Sequence, residues 1–237
     1  MLQVRDLSFT YGDSGLVLDQ LSLNLAENEV VSLLGPSGCG KSTVLRVIAE
    51  LLESCGGDVV WQDAPELAFV FQDPALMPWA TVSENVQLPG RLKGSIDKRG
   101  VNEAIRAVGL DGMEARLPAQ LSGGQRMRAS VARALAANPK VLLMDEPFAA
   151  LDEILRFQMN ELLLNLRAQR GLSILFVTHS LYEAAYLSDR ILVMNQGLIK
   201  GEVKSGLDRS LSPQDQRASS AFTSTVTGIS ALMAETG

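Results

Sequence analysis

A glycine-rich loop between an apolar strand and a helix constrains this fold more than any other feature of the sequence. Residues 35–42 read GPSGCGKS, which matches the pattern G-x-x-x-x-G-K-[ST]. Residues 30–34 precede the loop as a short apolar run typical of a strand, and residues 41–52 follow with a helical pattern. Glycines in such a loop let the backbone wrap closely around phosphate groups. The sequence therefore predicts a nucleotide site on a strand–loop–helix unit.

Further apolar runs indicate an α/β core. Runs suited to strands buried on both faces occupy residues 30–34, 67–71, 141–144, 174–177 and 191–194. One helix face is marked by the repeat of Leu151, Leu155, Met159, Leu162 and Leu166. Short buried strands that alternate with helices favour a mostly parallel sheet.

Three other segments read differently. Residues 2–9 and 16–25 alternate apolar with polar residues around a turn-rich link at 11–15, which predicts a small antiparallel sheet. Residues 73–138 contain no strong strand pattern, and we expect helices at 82–92, 101–108 and 125–137, forming a helical insertion between two core strands. In the Ser- and Thr-rich tail, a weak helix could be lined by Phe222, Val226, Ile229 and Leu232.

Composition excludes several classes of protein. The 237 residues are 46% hydrophobic, enough for a full core, and the net charge of −6 argues against a nucleic-acid binder. Cys39 and Cys55 are too few for a disulfide framework or a zinc site, and we expect two reduced thiols. The sequence shows no signal peptide and no apolar stretch near the roughly 18 residues that a spanning helix needs. We therefore expect any membrane role to come through a partner.

A second segment has the features of a phosphate-binding loop. Ser122, Gly123 and Gly124 stand before Gln125, where we expect a helix to begin. Exposed backbone N–H groups at a helix start favour an anion. One nucleotide does not need two such loops from one chain, and this loop has no lysine. We therefore expect a half-site that closes over a nucleotide held by a second copy of the chain.

Chemical roles follow from residue type and position. Lys41 is expected to pair with the β- and γ-phosphates, Ser42 to bind Mg²⁺, and Thr43 to reach the α-phosphate. Asp145 and Glu146 end the strand at 141–144, where Asp145 would hold Mg²⁺ through water and Glu146 would polarise an attacking water. The alternative is a solvated strand end. The residues expected around the phosphates are Gly35, Pro36, Ser37, Gly38, Cys39, Gly40, Lys41, Ser42 and Thr43.

Seven elements in a fixed order make the chain resemble the ATP-binding subunit of an ABC transporter. They are Tyr11, residues 35–43, Gln72, residues 121–125, residues 141–146, residues 150–152 and His179. The resemblance covers about residues 4–201. It implies a P-loop NTPase core of the α/β class with a mostly parallel sheet, an N-terminal antiparallel β subdomain and an inserted helical subdomain. It also implies ATP and Mg²⁺ as ligands.

The resemblance adds further roles, and three of these residues also have a structural alternative. Tyr11 would stack on adenine, or else be a turn tyrosine packed on the small sheet. Gln72 would contact Mg²⁺ and the attacking water, or else cap a strand. His179 would bind the γ-phosphate, or else be a satisfied structural histidine. Asp152 would contact the second chain, and residues Ser122, Gly123, Gly124 and Gln125 would close over its ATP.

The same resemblance suggests an organisation into parts. One ABC ATPase domain would span residues 1–237, with a catalytic core and antiparallel sheet at 1–72 and 139–210, a helical subdomain at 73–138 and a tail at 211–237. Membrane permease subunits would be contacted around Gln72 to Val82, placing the protein peripherally on the cytoplasmic face of the membrane. A solute-binding protein would take part indirectly. Leu76, Met77 and Trp79 would either meet that partner or form a satellite core.

The runs at 74–79 and 146–153 resemble the importer branch for nitrate, sulfonates and taurine. Two alternatives stay open at this stage. A soluble ABC protein that remodels nucleic acid or ribosomes usually carries twin domains, coiled-coil insertions or basic arms, which this sequence lacks. A P-loop kinase or GTPase would lack the 121–125 loop, and the guanine-specific Asn-Lys-x-Asp motif does not occur here.

Overall fold

The computed structural model of the chain describes residues 1–12 and 15–235. Asp13 and Ser14, in the predicted link at 11–15, and Thr236 and Gly237, in the predicted tail, lie outside the described residues.

The chain divides into two compact units, one formed by Met1–Ala64 with Ser173–Gly237 and the other by Pro65–Leu172. Their helices and strands, in chain order, are β1 (Leu2–Thr10), β2 (Leu16–Leu25), β3 (Val30–Leu34), α1 (Lys41–Ile48), β4 (Gly56–Trp61), β5 (Leu67–Val70), α2 (Val82–Leu92), α3 (Lys98–Ala107), α4 (Gly123–Leu135), β6 (Val141–Asp145), α5 (Glu153–Arg170), β7 (Ser173–Thr178), α6 (Leu181–Leu187), β8 (Arg190–Asn195), β9 (Leu198–Lys204), α7 (Pro213–Ala218) and α8 (Ser220–Ala234).

In the first unit, the N-terminal strands form the predicted antiparallel sheet. The strand order is β2-β1-β4, and Leu2, Val4 and Leu7 point their side chains into a buried layer. The third strand, β4, was not predicted, because its two leading glycines weaken the alternating pattern. A Cβ at Gly57 would lie 2.4 Å from the carbonyl oxygen of Arg5, so only glycine fits this close approach of the two strands.

The same unit carries parallel strands with buried faces, as predicted. β3 pairs in parallel with β7 on one side and β8 on the other, and β9 runs antiparallel to β8. Every residue of β3 and β7 is buried, which explains why both read as unbroken apolar runs. The pairing of Leu34 with Thr178 puts the carboxyl ends of β3 and β7 side by side.

In the second unit, β5 and β6 pair in parallel, and helices fill the chain between them, which confirms the predicted helical insertion. α2 occupies the residues predicted for it. α3 starts three residues earlier than predicted, because Asp97 caps it through the backbone N–H of Arg99. The exact domain boundaries given above stay a prediction.

Three predicted helix features were wrong in detail. α4 begins at Gly123 instead of residue 125 and ends at Leu135, because Ser122 is its N-cap. α1 ends at Ile48 instead of residue 52, because Glu50 takes a left-handed conformation (φ 57°) that stops the helix, a position where glycine is common. On α5, Leu163 is buried while Leu162 is only half-buried, since a 3.6-residue period drifts away from steps of four.

The chain after β9 completes the first unit and packs against the strand β9. α8 forms where the weak tail helix was predicted, with Phe222 and Ile229 buried. The packing with β9 is close: a Cβ at Gly201 would lie 2.7 Å from Leu232 Cδ2. Across residues 1–12 and 15–235, no helix combines the length and apolar character needed to cross a bilayer.

Candidate functional site

The phosphate loop wraps around the ammonium group of Lys41. Lys41 Nζ donates to the carbonyl oxygens of Gly35 and Pro36, each at 2.9 Å, and its side chain is buried. Gly38 and Gly40 have φ values of 82° and 101°, which side-chain-bearing residues rarely adopt. Gly40 is also the N-cap of α1 and offers no side-chain acceptor to the first turn. The loop thus combines a buried cation with the N-terminus of α1, where the first backbone N–H groups of a helix favour an anion.

Tyr11 lies beside this loop. Its hydroxyl is 3.2 Å from Thr43 Oγ1, and its ring meets Phe9 edge-on at 4.7 Å between centroids. Tyr11 as a whole is still 45% exposed. Tyr11 therefore packs on the small sheet, as the alternative interpretation held, and also keeps an accessible aromatic face next to the phosphate loop.

His179 lies at the same sheet edge as the phosphate loop. It follows the last residue of β7, and Gly35 follows the last residue of β3, whose ends are paired. Its side chain is exposed. Carboxyl ends of parallel strands are where α/β proteins place ligand-binding residues. The first unit thus brings Tyr11, residues 35–43 and His179 together.

The second unit places its acidic residues at the end of β6. Asp145 is buried, and Glu146 is half-buried with an unusual left-handed backbone (φ 44°). Val70 pairs with Met144, so Gln72 and Glu146 each stand two residues beyond this pair at the same edge of the β5–β6 ladder. Gln72 is exposed. A non-glycine residue held at positive φ beside a buried carboxylate is the kind of strain that clusters at functional sites.

Oxygen ligands suitable for Mg²⁺ are present. The Asp145 carboxylate and the half-buried Ser42 hydroxyl are hard donors of the kind that Mg²⁺ prefers. Over residues 1–12 and 15–235, no group of three His, Cys, Asp or Glu side chains could hold a metal by itself.

The 121–125 loop opens α4 with a capping box. Ser122 Oγ accepts from the N–H of Gln125 at 3.2 Å, and Gln125 Oε1 accepts from the N–H of Ser122 at 2.9 Å. The backbone N–H groups predicted to be bare are therefore satisfied in part by the loop itself. Ser122 and Gly123 remain exposed.

The two glycines of this loop have different surroundings. A Cβ at Gly124 would lie 3.3 Å from Leu155 Cδ1, so the packing of α4 on α5 explains a glycine there. A Cβ at Gly123 would meet nothing closer than Arg126 Nη2 at 4.0 Å, and its φ is not positive. Nothing in the described part of its own chain requires glycine at position 123.

Asp152 has a local structural role. Its carboxylate accepts from the backbone N–H of Leu155 at 2.9 Å and caps α5, with the side chain exposed. The second unit therefore brings Gln72, Asp145 and Glu146 to one strand edge, and Ser122 and Asp152 to the starts of α4 and α5.

Two residues that hold the segment after Gln72 were missed by the sequence analysis. Arg133 donates to the carbonyl oxygens of Pro74 and Ala75 at 2.8 and 2.7 Å, and burial lowers the pKa of Arg133. Asn85 is fully buried and bonds both the N–H and the carbonyl oxygen of Met77. In the sequence, each of them is a polar residue on an otherwise apolar face of its helix, and that pattern could have indicated it.

An apolar groove of about 490 Å³ opens in the second unit. It is lined by residues of β5, the following loop, α2 and α4: Glu66, Leu67, Ala68, Phe69, Phe71, Ala75, Leu88, Pro89, Leu92, Lys93, Arg133, Ala134 and Ala137. Leu92 is 80% exposed on this surface, and Trp79, in the segment that Asn85 holds, is 78% exposed. Trp79 is therefore not part of a satellite core.

The thiol of Cys39 is buried inside the phosphate loop. Burial raises the pKa of Cys39, and the Lys41 ammonium acts in the opposite direction. Cys55 is exposed, and neither cysteine is in a disulfide.

Comparison with known proteins identifies the family. Residues 18–149, more than half of the chain, match the family described as "ABC transporter". The chain belongs to the ABC transporter family. It is 45% identical over 203 residues to the "Aliphatic sulfonates import ATP-binding protein SsuB 1" of Pseudomonas savastanoi pv. phaseolicola (strain 1448A / Race 6), covering 85% of this chain and 83% of that protein. The predicted family and the predicted ABC ATPase function are confirmed.

Solved structures agree with this assignment. The "Dimeric Structure of MJ0796, a Bacterial ABC Transporter Cassette" has a TM-score of 0.77 and 33% identity to this ABC ATPase, covering 86% of this chain and 98% of that one. The same values hold for the dimeric post-hydrolysis state of MJ0796 "bound to ADP and Pi". The predicted α/β fold class is confirmed. These likenesses support a transporter ATPase over the ribosome or nucleic-acid alternative.

Proposed function

We propose that this ABC ATPase energises the import of a small sulfonate-type solute through separate membrane subunits. ATP binds to the phosphate loop, with Lys41 on the β- and γ-phosphates, Thr43 near the α-phosphate and Tyr11 on the adenine. Support comes from the buried Lys41 Nζ at the centre of the loop and the accessible Tyr11 ring beside it. The membrane subunits and a solute-binding protein would select the solute.

Hydrolysis is assigned to residues at the ends of parallel strands. Glu146 accepts a proton from the attacking water, Gln72 orients that water, and His179 hydrogen-bonds the γ-phosphate. Ser42, Asp145 and Gln72 would hold Mg²⁺, which when bound neutralises the charge on the phosphates. The supporting observation is the position of these residues in the chain. Gln72, Asp145, Glu146 and His179 lie at the carboxyl end of a parallel strand or within two residues of it, and Ser42 lies in the first turn of α1.

Each ATP would be enclosed by two copies of the chain. Residues Ser122, Gly123, Gly124 and Gln125 of one copy would close over the ATP of the other, with Asp152 linking the two. The observation that carries this proposal is Gly123, an exposed glycine whose identity no contact within residues 1–12 and 15–235 requires. Because glycine has no side chain, a phosphate of the ATP bound to the second copy could approach the backbone closely at this position. Dimeric cassettes among the similar structures agree with it.

A membrane permease subunit would dock on the groove of the second unit and on residues 72–82. This surface combines the apolar lining of the groove with the ordered, outward-facing Trp79, and exposed aromatic anchors are typical of partner contacts. Docking would hold the protein peripherally at the cytoplasmic face of the membrane, with a solute-binding protein acting on the other side. The helical subdomain at 73–138 would form this coupling part, next to a core at 1–72 and 139–210 and a tail at 211–237.

Sulfonate uptake tests the proposed function. The chain is produced in a bacterium that lacks its own sulfonate-import ATPase, together with the permease and solute-binding protein of a sulfonate importer, and growth is measured on an alkanesulfonate as sole sulfur source. We expect growth with the wild type and none with Leu92→Asp, because a charge would enter the apolar groove, while ATP binding by the purified variant is unchanged.

The matched control is Leu211→Asp, an exposed leucine outside the groove, which should support growth. Growth of Leu92→Asp at the wild-type rate would contradict docking at the groove. A wild-type chain that hydrolyses ATP but supports growth on no sulfonate would contradict the solute class.

Tyr11 gives a second test on the isolated protein. Tyr11→Ala should raise the KM for ATP about tenfold with little change in kcat, because an aromatic stack contributes about 0.5–1.5 kcal/mol beyond its area burial. Tyr11→Trp, which keeps the aromatic face, should retain most of the affinity. Steady-state ATPase assays measure both, and an unchanged KM for Tyr11→Ala would remove Tyr11 from the nucleotide site.

A further inference from the structure

The backbone on both sides of His179 is fixed by one small network of side chains. Thr178 Oγ1 accepts from the backbone N–H of Ser180 at 3.0 Å and donates to Glu183 Oε2 in a short hydrogen bond. Ser180 Oγ in turn accepts from the backbone N–H of Glu183 at 3.3 Å. The network therefore closes from Thr178 through Ser180 to Glu183 and passes around His179.

This arrangement differs from an ordinary helix start. Ser180 is the N-cap of α6 and Glu183 is the third helical residue, the positions at which a capping box joins the glutamate directly to the N-cap N–H. Here the Thr178 hydroxyl stands between them, so the carboxylate holds the end of β7 as well as the start of α6. Capping alone does not need that extra link.

Burial makes the network stiff. Thr178 is 2% exposed and Glu183 5% exposed. A buried carboxylate is tolerated only with good hydrogen bonds, so moving Thr178 away from Glu183 would be unfavourable. The His179 side chain lies at the surface on this rigid support.

The far end of α6 is also held. The Arg209 guanidinium donates to the carbonyl oxygens of Tyr186 and Ser188, the second at 3.1 Å. The Arg217 guanidinium lies 5.0 Å from the centre of the Tyr186 ring, within cation–π range. Because the segment after β9 holds α6, the helix cannot shift easily, and Glu183 is a fixed point.

We propose that Glu183 is a positioning residue for His179 in ATP hydrolysis, acting through Thr178 and Ser180. The carboxylate does not touch ATP; it sets the backbone from which the imidazole reaches the γ-phosphate. This inference rests on the role of His179 in the proposed function. A displacement of about 1 Å at a reacting group can reduce a rate by as much as about 100-fold.

A pair of substitutions at one position tests the link. Thr178→Val keeps the shape and strand preference of the side chain but removes the hydroxyl, and Thr178→Ser keeps the hydroxyl. We expect Thr178→Val to lower kcat about tenfold with an unchanged KM for ATP, because only the placement of His179 changes. Thr178→Ser should stay within about twofold of the wild type. If Thr178→Val does not fold, Glu183→Met, which removes the acceptor without leaving a buried charge, is used in its place.

A double-mutant cycle separates positioning from general stability. In a His179→Ala background, Thr178→Val should have no further effect on kcat, because there is no imidazole left to place. If the two effects multiply, Glu183 and Thr178 act on structure in general and the proposal is wrong. If His179→Ala alone leaves kcat unchanged, the role of His179 in the proposed function fails, and the positioning role fails with it.

Discussion

Replacing Glu146 by glutamine should lower kcat for ATP hydrolysis about 10³-fold while ATP still binds. An amide has the shape of the carboxylate but cannot accept the proton of the attacking water, and general-base catalysis contributes about 10²- to 10⁴-fold. The neighbouring Asp145 carboxylate and the phosphate loop are unchanged, so binding should persist. Steady-state ATPase assays measure the loss of turnover, and equilibrium dialysis with labelled ATP measures the retained binding.

Glu153→Gln is the matched control for this variant. It makes the same chemical change seven positions later, at an exposed residue in the first turn of α5, and kcat should stay within about twofold of the wild type. A Glu146→Gln variant that retained more than about a tenth of wild-type turnover would show that another group takes the proton.

Gly123→Asp should abolish ATPase activity, by about 100-fold or more, in a protein that is at least as stable as the wild type. An acidic residue in the first turn interacts favourably with the helix dipole by about 0.3–1 kcal/mol, and a Cβ at this position meets no close atom. In the enclosed dimer, the same carboxylate would face the γ-phosphate of the second copy and repel it. The melting temperature of Gly123→Asp should therefore equal or exceed that of the wild type, while its ATP turnover falls.

Two further variants identify the cause. Gly123→Asn has nearly the size of the aspartate without its charge, so a smaller loss than for Gly123→Asp would isolate the electrostatic part. Ser220→Asp places the same charge at the first residue of α8, another exposed helix start, and should leave turnover unchanged. Normal ATPase activity in Gly123→Asp would mean that nothing approaches this loop during catalysis.

Local patterns predicted the parts of this fold that local physics decides. The strand at Val30–Leu34 and the helix at Val82–Leu92 begin and end where the sequence pattern placed them, because each is bounded by strong breaking or capping residues. β4 and β9 were missed, since Gly56 and Gly201 interrupt their patterns and pairing with a neighbouring strand decides their structure. The end of α1 at Glu50 depends on a backbone conformation that residue type alone does not indicate.

In the candidate site too, adjacent residues predicted some features, while others depend on the packing of distant elements. Motif spacing predicted Lys41, Asp145, Glu146 and the 121–125 loop, because their chemistry is encoded in a few adjacent residues. It could not predict that Lys41 bonds the carbonyl oxygens of its own loop, or that Arg133 bonds those of Pro74 and Ala75 from a helix 59 and 58 residues further along the chain. Such contacts depend on where the elements pack, which no short pattern contains.

The measurement that tests the account most directly is the mass of the Glu146→Gln variant by sedimentation equilibrium, with and without saturating Mg²⁺ and ATP. Two copies of the chain, each supplying what the other lacks, should form a dimer that holds two ATP molecules, and the dimer should be lost when Gly123→Asp is added. A Glu146→Gln protein that binds ATP at full occupancy and remains a monomer would contradict the shared enclosure of ATP.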